Sequence, residues 1–205
     1  MISNNLFSLE SKTALVTGGS TGLGLMATAG LAAAGAKVFI VSRKLENCEK
    51  AANKINNYNF KGQVFPFKGD LSSEAGISNI VDELHKKNSE LHVLVNNAGR
   101  TWGSNFGSFP YDAWEKVLNL NVSALFHLTQ KLVPLLAASA ERDSPTRVIN
   151  VGSVMGEVPM GDGAYSYAAS NSAVHHITKI LAKELAVKNI TVNALSPGPF
   201  QSNMT

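Results

Sequence analysis

Short apolar runs rich in β-branched residues alternate with longer amphipathic stretches along the chain. This alternation restricts the fold more than any other feature of the sequence. Six runs are candidate strands: Thr13–Thr17, Lys37–Val41, Gln63–Phe67, Leu91–Val95, Arg147–Val151 and Thr191–Leu195. Each is apolar nearly throughout, the pattern of strands covered on both faces in a parallel sheet. Helical candidates lie between them at Gly22–Ala34, Leu45–Asn57, Glu74–Lys87, Tyr111–Ala138 and Ser166–Val187. In the last, Val174, Ile177, Ile180, Leu181 and Leu185 recur at helical spacing and predict a buried stripe. Six repeats with short connections imply right-handed crossovers, hence an α/β fold with a doubly wound parallel sheet in three layers, α/β/α. The polar stretch Glu141–Thr146 is only long enough to join a helix to a strand, so residues 1–205 are expected to form one domain.

Composition narrows the function classes. With 44% hydrophobic and 16% charged residues, the chain of 205 residues is not a disordered one. Cys48 is its only cysteine, which leaves no intramolecular disulfide and no thiolate cluster for zinc, a usage that fits a reducing, cytoplasmic compartment. The net charge is +3, but its 18 lysines and arginines are scattered, with no run longer than Arg43-Lys44 or Lys86-Lys87. Such scatter gives no nucleic-acid footprint. No apolar core of a signal peptide occurs within Met1–Glu10, and no window of about 18 apolar residues predicts a membrane span. His175 and His176 are neighbours on a helical segment, about 100° apart, and do not chelate from one face, so no metal site is expected.

The chemistry is concentrated where strands end. From Ala14 the chain runs through Thr17, Gly18, Gly19, Ser20, Thr21, Gly22, Leu23 and Gly24 directly into a helix. Glycines allow a tight turn and close approach of a pyrophosphate, and the free amides of the helix start face that anion. The second strand ends in Ser42-Arg43-Lys44, with no acidic residue where the ribose of a dinucleotide would lie. Arg43, with Ser42, can neutralise and hydrogen-bond a 2′-phosphate, which argues for NADP(H) over NAD; the alternative is a solvated basic pair before the next helix. Asp70 either accepts from an adenine amino group or caps the helix that follows Leu71.

Taken together, seven segments resemble the short-chain dehydrogenase/reductase family: Thr17–Gly24, Asp70-Leu71, Asn96-Asn97-Ala98-Gly99, Asn119–Val122, Ile149–Ser153, Tyr167–Asn171 and Pro197-Gly198. They stand in the family's order and span nearly the whole chain. Closest in flavour are NADPH-dependent 3-oxoacyl and rhamnolipid-type reductases, whose ending is similar to Pro197–Thr205. The resemblance implies a Rossmann-type fold and a hydride transfer between nicotinamide and a carbonyl or alcohol. It also implies that Tyr167 is the general acid/base, that Ser153 hydrogen-bonds the substrate oxygen and that Asn121 steadies a water relay. Asn97, Ala98 and Gly99 would border the cofactor, with Pro197 and Gly198 beyond the sixth strand. Reduction of a ketone does need a proton donor and a second hydrogen bond beside the developing alkoxide. Tyr165 competes with Tyr167, but Ala169 stands four residues after it. Met155, Met160 and Trp102 either line an apolar substrate pocket or fill core gaps. A homodimer or homotetramer through the two long helices is implied as well.

Two departures from the family's pattern stand out. Asn171 occupies the position of its lysine, which holds the nicotinamide ribose and favours the ionised phenol by its charge. Asparagine can attempt the first task and not the second. A unit charge about 5 Å away at an effective dielectric near 20 is worth about 3 kcal/mol, so its loss is expected to slow proton transfer about a hundredfold. Lys179 and Lys183 lie about two and three turns along the helix, too far to substitute. The alternative to an enzyme is therefore an NADPH-binding pseudoenzyme. Second, family members continue past the Pro-Gly segment with a covering loop, a helix and a seventh strand, whereas this sequence stops at Thr205. The C-terminal part of the usual fold is expected to be absent, and the second alternative to an enzyme is an inactive fragment of a longer protein.

Overall fold

Six parallel strands form one twisted sheet in the order β3-β2-β1-β4-β5-β6. They are β1 (Thr13–Thr17), β2 (Lys37–Ser42), β3 (Gln63–Lys68), β4 (Val93–Asn96), β5 (Thr146–Val151) and β6 (Ile190–Leu195). The computed structural model describes residues 7–160 and 163–199. Residues 200–205, the end of the segment compared above with the reductases, therefore lie outside the described residues. Helices α1 (Gly22–Ala33), α2 (Leu45–Asn56), α3 (Glu74–Lys87), α4 (Tyr111–Leu118), α5 (Ala124–Ala138) and α6 (Tyr165–Leu185) fill the crossovers.

Alternation along each strand divides the core in two. On one face Ala14, Val16, Val38, Ile40, Val93 and Val95 pack on Ala32 of α1 and on Cys48, Ala52 and Ile55 of α2. On the other, Leu15, Phe39, Leu94 and Val148 meet Ile80 and Leu84 of α3, Leu128, Leu132 and Leu136 of α5 and Leu181 of α6. Burial on both sides is why these strands read as unbroken apolar runs. The sheet is thus the centre of three layers, as the alternation of elements requires.

Three local expectations are corrected. The expected helix Tyr111–Ala138 is two helices, separated by a π-helical turn at Asn119–Ser123. Its physical cause is Asn121, whose side chain is drawn out of the helix pattern into bonds with a loop described below. Asp70 does not cap α3: Ser73 does, accepting from the Gly76 amide at 3.2 Å, while Asp70 accepts from Ser72 N in a tight turn. Of the stripe on α6, Val174, Leu181 and Leu185 are buried, but Ile180 is half exposed, because it lies to one side of the contact with the sheet.

All strands are parallel, so every strand-to-helix turn leaves from the same edge of the sheet. Strand order reverses direction between β1 and β4, and a crevice opens outside the carboxyl ends at such a point.

Candidate active site

The glycine turn after β1 forms one wall of that crevice. Gly18 and Gly22 take positive φ angles of 64° and 52°, which a side chain would oppose. Gly24 is the tightest position, since a Cβ there would sit 2.3 Å from Gly18 O and 2.4 Å from Asn97 Nδ2. Thr28 Oγ1 reaches back to Gly24 O at 2.8 Å and to Gly19 O at 3.2 Å, fixing the turn from inside. Thr21 is the N-cap residue of α1 and makes no side-chain cap, so the first amides of the helix, those of Gly22, Leu23 and Gly24, face the crevice beside Ser20.

A second clasp joins this turn to the end of β4. Asn97 Nδ2 donates to Thr17 O at 3.0 Å and to Gly18 O at 3.3 Å. In return Thr17 Oγ1 accepts from the Asn97 and Ala98 amides, both at 3.0 Å, and donates to Val95 O. Asn97, Ala98 and Gly99 are thereby held against the glycine turn. At the end of β2, Ser42 Oγ donates to Lys44 O, and Arg43 is exposed with no ion pair among the described residues. Asp70 is exposed beyond β3, with Leu71 packed beneath it on the core.

The other wall comes from β5, β6 and α6. Ser153 opens the turn after β5; its Oγ accepts from Met155 N at 3.2 Å, and the following Val154 amide donates to Pro197 O at 3.0 Å. Pro197 and Gly198 thus lie beside the serine turn, and a Cβ on Gly198 would meet open space. The turn rests on α6: Ser172 Oγ donates to Gly156 O, and Glu157 Oε1 lies 3.2 Å from Nδ1 of His175.

Asn121 is the hinge between the two walls. Its Oδ1 accepts from Arg100 N at 2.9 Å, and its Nδ2 donates to Arg100 O and to Ser170 Oγ, each at 3.0 Å. Ser170 Oγ in turn donates to Tyr167 O at 2.7 Å. Asn121 is therefore spent on protein partners that locate the Tyr167 turn. Asn171 is only 4% exposed and folds back on its own helix, Nδ2 donating to Tyr167 O at 2.8 Å. Tyr167 itself is half-buried on the first turn of α6. Tyr165 is placed elsewhere, edge to face with Phe106 and Phe109. Met160 and Trp102 are partly exposed, so neither fills a core gap.

Sequence reasoning missed a buried polar string behind the site. Asn96 Nδ2 donates to Thr129 Oγ1 at 3.0 Å and to Asn150 Oδ1 at 2.9 Å, and Asn150 Nδ2 donates to Thr178 Oγ1 at 2.9 Å. It joins α5, β4, β5 and α6 through the register pair Asn96 and Asn150. Two asparagines inside otherwise apolar strands were the available signal, because a buried amide must find partners. Among the described residues no group of three or more His, Cys, Asp or Glu side chains is placed to hold a metal, and no helix is long and apolar enough to cross a membrane.

A parallel sheet with a glycine-lined crevice at its switch point, flanked by Ser153 and Tyr167, defines a dinucleotide-type α/β protein. The chain belongs to the short chain dehydrogenase family, whose model matches residues 12–205. It is 46% identical over 199 residues to the rhamnolipids biosynthesis 3-oxoacyl-[acyl-carrier-protein] reductase of Pseudomonas aeruginosa, covering 97% of this chain and 77% of that protein. The 5-keto-D-gluconate 5-reductase of Escherichia coli is 34% identical, over 98% of this chain and 77% of its own length. In three dimensions the Pseudomonas aeruginosa RhlG/NADP active-site complex superposes with a TM-score of 0.94 at 46% identity, over 98% of this chain and 78% of that one.

Proposed function

We propose that this short-chain oxidoreductase is NADP(H)-dependent and acts on the carbonyl or alcohol group of a small molecule, with a 3-oxoacyl thioester the first candidate. The observation that carries the reading is the cradle at Gly24, where the absent side chain leaves Gly18 and Asn97 in contact and the helix amides open to an anion. Such a cradle fits a pyrophosphate. Gly18, Ser20, Thr21, Gly22, Leu23 and Gly24 would hold it, and Asn97, Ala98, Gly99, Pro197 and Gly198 would flank the rest of the cofactor. Arg43, unpaired among the described residues, and Ser42 would hold the 2′-phosphate, and Asp70 and Leu71 the adenine. When bound, NADP(H) supplies or takes the hydride.

The chain's own residues move the proton. Tyr167 is the general acid that protonates the carbonyl oxygen in reduction and the base in the reverse direction, and Ser153 donates a hydrogen bond to that oxygen. Asn121 locates the tyrosine turn through Ser170. Asn171 stands where a cation would assist the phenol, and its amide is engaged with Tyr167 O, so turnover is expected to be slow. Family membership supports a working enzyme over a protein that only binds nucleotide. The same proposal takes the chain as one nucleotide-binding domain that self-associates as a dimer or tetramer; the exposed Ile180 on α6 supports an available face, and sedimentation tests it. NADPH oxidation followed with 3-oxoacyl surrogates and simple ketones tests the activity. It should appear in the parent and vanish in Tyr167→Phe, and equal rates in both would overturn the assignment.

A further inference from the structure

His175 is a buried titratable side chain that the proposed chemistry leaves unused. It lies on α6 about two turns beyond Tyr167, and its side chain is 11% exposed. Both ring nitrogens are closed to solvent and make no hydrogen bond among the described residues. Burying a polar ring in this way costs stability, so its place needs a reason. The surroundings of the ring supply one. On one side Nδ1 faces Glu157 Oε1 at 3.2 Å, close enough for an electrostatic contact although not aligned as a hydrogen bond. On the other, the ring edge fills the space in front of Gly152: a Cβ on that glycine would sit 2.3 Å from His175 Nε2 and 2.8 Å from its Cδ2. Gly152 immediately precedes Ser153. The imidazole therefore abuts the serine turn at both ends, at residue 152 and at residue 157.

A second glycine repeats the arrangement. A Cβ on Gly156 would meet Asn171 C at 2.7 Å and Ser172 N at 2.9 Å, and Ser172 Oγ donates to Gly156 O. The turn that carries Ser153 is thus seated on the helix that carries Tyr167 at two points where a glycine admits α6. Bonds from β6 and the segment after it, Gly152 N to Leu195 O at 2.8 Å and Val154 N to Pro197 O at 3.0 Å, hold the same turn from the sheet side. The α6 seat is what relates the serine directly to the tyrosine. We propose that His175 is a positioning residue: its ring, seated against Gly152 and turned toward Glu157, sets the placement of the Ser153 hydroxyl relative to Tyr167. This inference rests on the reading of Ser153 and Tyr167 as partners at the substrate oxygen.

Variants at this seat, made in the full chain, test it. His175→Ala empties the seat and Gly152→Ala overfills it, so each should lower kcat for ketone reduction about tenfold with the KM for NADPH within about twofold, because the glycine turn that cradles the nucleotide lies on the other wall. The collision at 2.3 Å exists only while both partners are present, so Gly152→Ala should cost no further activity when it is made in His175→Ala. His175→Gln, whose amide reaches the place of Nε2, should keep kcat within about threefold of the parent. Hydrogen exchange reads the turn without turnover: the Gly156 amide, which donates to Ser153 O at 2.9 Å, should exchange about tenfold faster in His175→Ala and near the parent rate in His175→Gln. Unchanged kcat and unchanged exchange in His175→Ala overturn the proposal, as do losses that multiply independently in the double variant. Ser153→Ala tests the underlying reading separately. If that variant turns over like the parent, or the parent does not turn over at all, the reading of Ser153 falls, and exchange alone decides whether His175 seats the turn.

Discussion

Replacing Asn171 with lysine asks whether one missing charge limits this site. Asn171 lies one helical turn beyond Tyr167, is nearly fully buried, and is held at 2.8 Å on Tyr167 O. Asn171→Lys exchanges that internal bond for an ammonium on a longer stem on the same face of α6. An ammonium about 5 Å from the phenol oxygen, at an effective dielectric near 20, stabilises its ionised form by about 3 kcal/mol. If proton transfer limits turnover, that is about a hundredfold in kcat. The assay is loss of NADPH absorbance at saturating NADPH with a panel of ketones, with the melting transition as a control for folding. A folded Asn171→Lys protein with kcat within about threefold of the parent would refute the electrostatic argument.

Other perturbations probe the remaining supports. Arg43→Asp should weaken NADPH about tenfold to a hundredfold and leave NADH less affected, because it would remove the proposed charge-assisted partner of the 2′-phosphate; parallel titrations check this. Gly24→Ala forces a methyl group to within 2.3 Å of Gly18 O and should cost about 1–3 kcal/mol in urea unfolding while abolishing nucleotide binding. His92, buried before β4, accepts from Thr13 N at 3.1 Å; desolvation above all, then the Lys12 charge, holds its pKa below the ordinary imidazole value. A lowered folded-state pKa means that the unfolded chain binds the proton first. Stability should be full above about pH 6.5 and fall by up to about 1.4 kcal/mol per unit below it, a slope that His92→Asn should remove.

The strands are legible in the sequence for a physical reason: Ala14–Val16 and Val38–Val41 are buried on both faces, so tertiary burial and local pattern coincide. The glycine turn is legible because the backbone angles of Gly18 and Gly22 restrict the residue type. What escapes is set by partners distant in sequence. The π-helical turn at Asn119–Ser123 follows from the bonds of Asn121 to Arg100, and no helix propensity encodes those. Asp70 and Ser73 are both good caps, and only the path of the chain decides between them. Ile180 fits the helical period of α6 as well as Leu181 does, but the sheet covers only one of them. The pairing of Asn96 with Asn150 appears once β4 and β5 are neighbours. Tyr165 and Tyr167 are told apart in the sequence by the residue four positions on, Ala169 or Asn171, and the ring contacts of Tyr165 with Phe106 and Phe109 add a second distinction.

The central claim is that the turns after β1, β2 and β4 together form a cradle for a phosphorylated dinucleotide. A fluorescence titration of the chain with NADPH, with NADH alongside, addresses it most directly. Saturable binding with NADPH preferred by about tenfold or more is the expected result, in keeping with the proposed role of Arg43, which has no ion pair among the described residues. Binding of neither nucleotide, or equal affinity for both, would contradict the account.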